Sequence, residues 1–127
     1  MTTQQVAKKL VELCKQGKFE EAMEATYAPN IVSIEPHPGG GEMPQKMEGI
    51  AAVRKKSQWW NENHEIHGVK VDGPWPAEDR FIVRFVIDVT AKTGPMKGKR
   101  MTMDETGLYT VKDGKVVREE FFYDMGG

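Results

Sequence analysis

The fold is indicated most strongly by residues 101–125, which read MTMDETGLYTVKDGKVVREEFFYDM. Two runs rich in β-branched and aromatic residues flank a turn at Lys112–Gly114, and each run alternates apolar with polar residues. This pattern predicts an antiparallel hairpin. Its apolar face carries two carboxylates, Glu105 and Glu119, and a carboxylate on a core-facing surface is costly unless it is paired, hydrated or used. The two acids therefore point to a pocket.

Two registers of this hairpin are compatible with the turn. A two-residue type I′ turn at Asp113-Gly114 would group the even positions of one run with the odd positions of the other. A type I turn with Gly114 as a G1 bulge would group odd with odd, and we favour it because its inward face is apolar except for the two acids. That face holds Met103, Glu105, Gly107, Tyr109, Val111, Val117, Glu119, Phe121 and Tyr123. The bulged register places Glu119 opposite Gly107, with Glu105 on the diagonal about 5.5–8 Å away at the backbone.

The two acids admit two interpretations. Two carboxylates that lie so near each other in a partly apolar site repel, so one of them should have a raised pKa, as a general acid or a shared-proton pair requires. Alternatively, one or both of them lie at the rim and form ordinary salt bridges with Arg84, Lys97 or Arg118.

Apolar spacing earlier in the chain predicts three helices. They cover a segment around Val6–Cys14 with Thr2 or Thr3 as N-cap, then Phe19–Tyr27, and a third from about Gly49 to His64. Strands are predicted at Ile31–Glu35, His64–Val71, Arg80–Thr90, Lys99–Val111 and Lys115–Asp124. The order predicts an α+β fold in which the helices pack on one face of a curved antiparallel sheet and leave a hollow. The Pro- and Gly-rich segment 36–49 is predicted to be a mobile loop.

Composition limits the classes of function. The 127 residues predict one domain, 1–127, and 18 basic against 19 acidic residues show no charge footprint for nucleic acid. The single Cys14 excludes an internal disulfide, and His64 and His67 lack metal-ligand spacing, so neither metal nor cofactor is predicted. No apolar run is long enough to span a membrane, and the charged N-terminus is not typical of a signal peptide. We therefore expect a cytoplasmic protein.

The ordered set of local strings resembles the NTF2-like superfamily, in particular its SnoaL-like and ketosteroid-isomerase-like branch. The similar strings are QGKFEEAMEATYAPN (16–30), the acid-proline step Glu35-Pro36, EGIAAVRKKSQWW (48–60) and VKDGKVVREEFFYD (111–124). The resemblance implies a cone-shaped, cystatin-like α+β fold with three N-terminal helices on the sheet and a deep apolar pocket. It also implies a homodimer formed through the outer face of the sheet.

The resemblance to the steroid isomerases implies a catalytic base at Glu35, the acid-proline position, where a Glu can replace their Asp. Their oxyanion hole uses a tyrosine and a strand acid. The tyrosine position falls at about Leu10 here, and the acid position near Gly107, with Glu105 one pleat away. The chain therefore departs from the isomerase pattern at the oxyanion hole.

The polyketide cyclases and the limonene-type epoxide hydrolases of the superfamily place an Asp on the last strand. That position holds Phe121 here, and Glu119 lies one pleat earlier. The hydrolases also use an Arg-x-Asp pair, whereas Arg84 and Asp88 are four residues apart. The resemblance thus implies a pocket, but it does not imply one particular reaction.

Two hypotheses about function remain open. The first is a cofactor-free enzyme of the isomerase, cyclase, lyase or hydrolase type acting on a small apolar carbonyl or cyclic compound. In this hypothesis Glu35 or Glu119 transfers a proton, and Glu105 polarises the reacting group or tunes the proton transfer. The second is a non-catalytic small-molecule binding or dimerisation module. The residues expected to contact the ligand are Tyr27, His37, Trp59, Tyr109, Phe121 and Tyr123, although His37 could equally be an exposed loop histidine and Trp59 an interface residue.

Overall fold

A computed structural model describes residues 1–38 and 43–124. The helices are α1 (Thr3–Lys15), α2 (Phe19–Thr26) and α3 (Ile50–Asn63). The strands are β1 (Tyr27–Ile34), β2 (Lys46–Glu48), β3 (His64–Ala77), β4 (Arg80–Ala91), β5 (Arg100–Lys112) and β6 (Lys115–Phe122). One sheet in the order β2-β1-β6-β5-β4-β3 contains all six of these strands. The predicted α+β class is confirmed.

The first helix begins where the sequence signals predict. The Thr2 side chain accepts a hydrogen bond from the Gln5 backbone amide, and the Gln5 side chain accepts one from the Thr2 amide, which completes a capping box. Val6, Leu10 and Cys14 follow at helical spacing and are buried. This apolar stripe packs α1 against the sheet and against α2.

The sheet differs from the purely antiparallel one that the sequence predicts. Strand β6 lies between β5 and β1, and it pairs antiparallel with β5 but parallel with β1, where Ser33 is opposite Glu119. Only two helices precede the first strand, because α3 follows β2. The parallel pair joins strands that are far apart in the sequence, so no local pattern reports it.

Two boundaries near the first strand also differ from the prediction. β1 begins at Tyr27 rather than Ile31, with Pro29 inside the irregular stretch between the Tyr27 and Val32 pairings. Proline is tolerated there because a strand irregularity does not require its missing N–H. The predicted mobile loop falls partly on residues 39–42, which lie outside the described residues, and its later part forms β2.

The hairpin has the predicted inward face, but its turn is different. Asp113 and Gly114 have φ values of 52° and 76°, as in a type I′ turn, whose twist suits a two-residue hairpin. The bulge occurs within β6 instead, because Val111 pairs with Val116 and Thr110 with Arg118. The extra residue, Val117, restores the grouping of odd with odd positions.

The position of the bulge corrects the predicted pairing of the acids. Glu119 lies opposite Tyr109, and Gly107 lies opposite Phe121. Glu105 and Glu119 are therefore separated by two pleats along the hairpin and are not diagonal neighbours. Next to the turn, Val116 rather than Val117 is the buried valine.

Candidate functional site

A cavity of about 290 Å³ lies between the three helices and the inner face of the sheet. Its wall is mostly apolar and aromatic, with contributions from Leu10, Phe19, Met23, Trp59, Trp60, Phe85, Ile87, Met103 and Phe121. The polar groups that border it are Tyr27, Glu35, Lys56, Glu105, Tyr109, Glu119 and Tyr123. The fold thus brings all three acids named from the sequence to one concave surface.

Glu119 is the most deeply buried of the three acids, with 2% of its surface exposed. The hydroxyl groups of Tyr27 and Ser33 both donate hydrogen bonds to its carboxylate, the second over 2.8 Å. The Lys56 ammonium nitrogen lies 3.6 Å from Glu119 Oε1. A buried carboxylate is stable when it is both hydrogen-bonded and paired, and Glu119 meets both conditions.

Lys56 is the cation of the site. Its Nζ donates to Ser33 Oγ over 2.6 Å, lies 3.6 Å from Glu35 Oε2 and sits 4.8 Å from the centre of the Phe121 ring. One ammonium group on α3 thereby joins side chains from β1 and β6.

Lys56 was not predicted as a site residue from the sequence, although its position in α3 indicates that it faces inward. It lies three residues after the buried Val53 and four before Trp60, so it occupies the apolar stripe of α3. The cations named in the salt-bridge alternative have other partners. Arg84 pairs with Asp104 and Arg118 with Glu120 on the outer face, and no ion pair within residues 1–38 and 43–124 joins Lys97 to a pocket acid.

Glu105 faces the cavity from β5, opposite Phe85. No hydrogen bond from the described residues reaches its carboxyl group. Burial above all, and then the negative charge of Glu35, raise the pKa of Glu105 from 4.5 to about 7, with Lys56 opposing the rise and Glu119 adding to it. Glu105 therefore gains and loses a proton near neutral pH.

Glu35 lies just beyond the end of β1. The Tyr123 hydroxyl donates to its Oε1 over 3.0 Å, whereas its Oε2 is buried without a hydrogen-bond donor among the described residues. His37 packs edge-on against the Tyr123 ring at 5.2 Å between ring centres. His37 is half-buried behind Tyr123 and does not border the cavity, so it is neither an exposed loop residue nor a wall residue.

Tyr109 takes the space that glycine at position 107 leaves. A Cβ atom at Gly107 would lie 2.8 Å from the Tyr109 ring, which also stacks on Phe81 at 4.9 Å between ring centres. The predicted register assigns this room to Glu119 instead. Burial, followed by the charge of Glu119, raises the pKa of Tyr109 and of Tyr27 well above the usual value. Both phenols stay protonated and can act only as neutral donors or acceptors.

Both tryptophans of α3 border the cavity, Trp59 as expected from the sequence and Trp60 beside it. Trp60 stacks on His64 at 4.3 Å between ring centres, and Trp59 lies edge-on to the same imidazole. An open cavity is wide enough to accept side chains about 100° apart on a helix. Cys14 also borders it, and burial raises the pKa of its thiol to about 12, so this thiol is not a nucleophile at neutral pH.

Metal sites and membrane spans are both absent from the part of the chain that the structure describes. Within residues 1–38 and 43–124, no three His, Cys, Asp or Glu side chains are grouped so that they could hold a metal ion. Within the same residues, no helix has the length and hydropathy of a membrane span.

The fold is shared with known proteins. A structure from Mesorhizobium loti, provisionally named a SnoaL-like polyketide cyclase with carbohydrate phosphatase as a second designation, is 47% identical. It matches with a TM-score of 0.88 over 97% of this chain and 100% of that one. An NTF2-like protein from Burkholderia thailandensis is 22% identical, with a TM-score of 0.78 over 98% of this chain and 92% of that one. A Xanthomonas campestris protein of unknown function with a cystatin-like fold is 18% identical, with a TM-score of 0.74 over 97% and 91%.

The family follows from the sequence match. No protein with a curated description matches the chain. The model of the SnoaL-like domain, however, matches residues 1–123. Together with the 47% identity to the Mesorhizobium loti protein, this match shows that the chain belongs to the SnoaL-like family, within the NTF2-like fold.

Proposed function

We propose that the chain is a cofactor-free enzyme of the isomerase, cyclase or hydrolase type that moves a proton on a small apolar carbonyl or cyclic compound. The observation that carries this proposal is Glu105, a carboxyl group with no hydrogen-bond partner among the described residues, facing an apolar cavity with a pKa of about 7. A general acid or base works best when its pKa lies near the working pH.

We propose different roles for the acids from those that the sequence suggested. Glu119 accepts two hydroxyl hydrogen bonds and lies beside Lys56, so its carboxylate is already engaged. Glu35 accepts one bond from Tyr123. In the proposed mechanism Glu105 therefore transfers the proton, and burial, with a smaller effect of the charges of Glu35 and Glu119, holds its pKa near neutrality.

Tyr109 is the proposed partner of Glu105. Its ring lies over Gly107, the inward position next to Glu105 along β5, and both side chains border the cavity. A substrate carbonyl could accept the phenolic hydrogen while Glu105 exchanges a proton with the adjacent carbon. Because the pKa of Tyr109 is strongly raised, the phenol would stabilise developing negative charge as a neutral donor.

The cavity supports a small substrate. Its volume of about 290 Å³ lies at the lower limit of ligand pockets, roughly 300 to 1,000 Å³. The aromatic wall formed by Trp59, Trp60 and Phe121 suits one or two rings. The polyketide-cyclase name of the Mesorhizobium loti relative agrees with a cyclic carbonyl compound.

Hydrogen–deuterium exchange tests this function even while the product is unidentified. Small cyclic ketones and lactones are incubated with the protein in D₂O, and loss of the proton beside the carbonyl is followed by NMR. We expect exchange with the wild type and a loss of about 100-fold in Glu105→Gln, the usual contribution of a general acid or base. The Asp104→Asn variant, which removes a charge from the outer face one residue away, is the matched control and should retain exchange. Equal exchange in Glu105→Gln and wild type would overturn the assignment.

The second candidate function is a binding module without turnover. It is favoured by the aromatic side chains at the cavity, among them Tyr27, Trp59 and Tyr123, and by the Tyr27–Glu119–Lys56 network, which stabilises the fold whether or not a reaction occurs. Saturable binding of the same ketones with no deuterium exchange at any pH would identify this function instead.

We also propose that two copies associate through the outer face of the sheet. Trp75 and Ile82 are paired across β3 and β4, and together with Phe122 they expose 53%, 39% and 52% of their surface. Light scattering after gel filtration should give the mass of a dimer, and Ile82→Lys should shift it toward the monomer. A monomeric wild type would contradict this proposal.

A further inference from the structure

The cavity contains carboxylate oxygens that lack hydrogen-bond donors. Glu35 Oε2 is buried with no donor in the described part of the chain, and the Glu105 carboxyl group likewise receives no hydrogen bond from it. Both side chains border the same cavity. A buried acceptor without a donor costs about 1–3 kcal/mol, and more when it is charged. A ligand that donates an N–H or O–H group to Glu35 Oε2 would remove that cost, and the same ligand can also donate to the Glu105 carboxyl group, which borders the same cavity.

The charges around the cavity favour a donor that is positive. Among the described residues that line it, the acidic ones are Glu35, Glu105 and Glu119, and Lys56 is the one lysine or arginine. The Lys56 ammonium already bonds Ser33 and lies 3.6 Å from both Glu35 and Glu119. With Glu105 ionised, the cavity therefore carries a net charge of about −2, which attracts a positively charged ligand.

The wall of the cavity also suits a cation. The rings of Trp59, Trp60, Tyr109 and Phe121 border it, and aromatic faces attract ammonium groups. The site already contains one such contact, because Lys56 Nζ lies 4.8 Å from the centre of the Phe121 ring. A carboxylate pair at one side and aromatic walls around it are complementary to an ammonium group on an apolar ring.

We propose that this cavity binds a small apolar amine in its protonated form, with the ammonium group donating to Glu105 and Glu35 and the ring packed against the aromatic wall. The proposal uses the same cavity as the proposed enzyme activity but goes beyond it, because it names the charge of the ligand and needs no turnover.

Binding of this kind releases a proton. Three charged groups face Glu105: Glu35 from the segment after β1, Lys56 from α3 and Glu119 from β6. Because its pKa is near 7, Glu105 is about half protonated at neutral pH before the ligand enters. An ammonium group beside it favours the ionised form. The affinity for the amine should therefore rise about tenfold between pH 6 and pH 8, as the ionised fraction of Glu105 rises.

Titration calorimetry with benzylamine and its neutral analogue benzyl alcohol tests the proposal on the full chain. We expect benzylamine to bind at least about tenfold more tightly than the alcohol at pH 8, and about half a proton to be released per amine bound at pH 7 in buffers of different ionisation enthalpy. The preference should disappear in Glu105→Gln and decrease in Glu35→Gln, whereas Asp104→Asn should keep it.

Two outcomes would overturn the inference. One is equal affinity for amine and alcohol in the wild type, and the other is an amine preference that survives in both Glu105→Gln and Glu35→Gln. Neither depends on the deuterium-exchange experiment. Amine binding without ketone exchange would refute only the proposed enzyme activity, and ketone exchange without amine preference would refute only this inference.

Discussion

At the scale of single residues, Glu105 affects both stability and function. Its pKa rises from 4.5 to about 7 on folding, mainly because burial removes the carboxylate from water. The folded protein thus holds this proton more tightly than the unfolded chain does. The contribution of Glu105 to the free energy of unfolding is therefore fully present below about pH 4.5, declines as the pH rises to about 7, and stays low above that value.

The pH dependence of unfolding should reveal this cost. From pH 5 to pH 8 we expect the wild type to lose about 2 kcal/mol more of its free energy of unfolding than Glu105→Gln loses, because the glutamine cannot ionise. Urea unfolding of both proteins at the two pH values provides the measurement. Parallel pH profiles for the two proteins would mean that Glu105 ionises in the folded state as easily as in water.

At the scale of elements, the β5–β6 hairpin shapes the cavity. The two-residue turn at Asp113-Gly114 and the bulge at Val117 together set which side chains lie across from one another. They place Tyr109 beside Glu119 and leave the space over Gly107 for the Tyr109 ring. A position without a side chain is therefore needed at 107, because the ring is fixed between Phe81 and Phe121.

Gly107→Ala should accordingly destabilise the protein by about 1–3 kcal/mol, because its Cβ would lie 2.8 Å from the Tyr109 ring. The near-ultraviolet circular dichroism of the tyrosine should change as well. Gly68→Ala in β3 is the matched control, since nothing lies within 4 Å of its added Cβ, and it should change stability by less than about 0.5 kcal/mol. Equal stability of the two variants would show that Tyr109 moves aside without cost.

At the scale of the whole molecule, one ammonium group links three elements that are distant in the sequence. Lys56 on α3 contacts Ser33 on β1 and Glu119 on β6, and Tyr27 at the start of β1 completes the hydrogen bonding of Glu119. The side chains of Lys56 and Glu119 are only 16% and 3% exposed. Removing one member of such a pair leaves the other charge buried, so the two should act as a unit.

A double-mutant cycle tests this unit. Lys56→Met should cost about 3 kcal/mol of stability, and the Lys56→Met/Glu119→Gln double variant should be about 1–3 kcal/mol more stable than the sum of the single changes predicts. Lys55→Met, at the exposed neighbouring position, is the control and should have little effect. Strict additivity in chemical denaturation would indicate that Lys56 and Glu119 do not interact.

Local patterns in the sequence determined the helices, the later strands and the inward face of the hairpin. Side chains alternate with a period of two in a strand, so placing Glu105, Tyr109 and Glu119 on one face needs only the order of neighbouring residues. The capping box at Thr2 and the stripe of α1 are equally local. These features depend on interactions within a few residues, which a single sequence displays.

The tertiary structure alone decided how the acids are partnered. The parallel pairing of β1 with β6 brings Ser33 and Tyr27 to Glu119, and the packing of α3 brings Lys56 to the same place. The type I′ turn at Asp113-Gly114 and the bulge at Val117 together set the register of the hairpin. A carboxyl pKa depends on burial and on charges that come from distant parts of the chain. The sequence therefore located the acids on the inner face, and folding gave Glu119 its lysine and hydroxyl partners and raised the pKa of Glu105 to about 7.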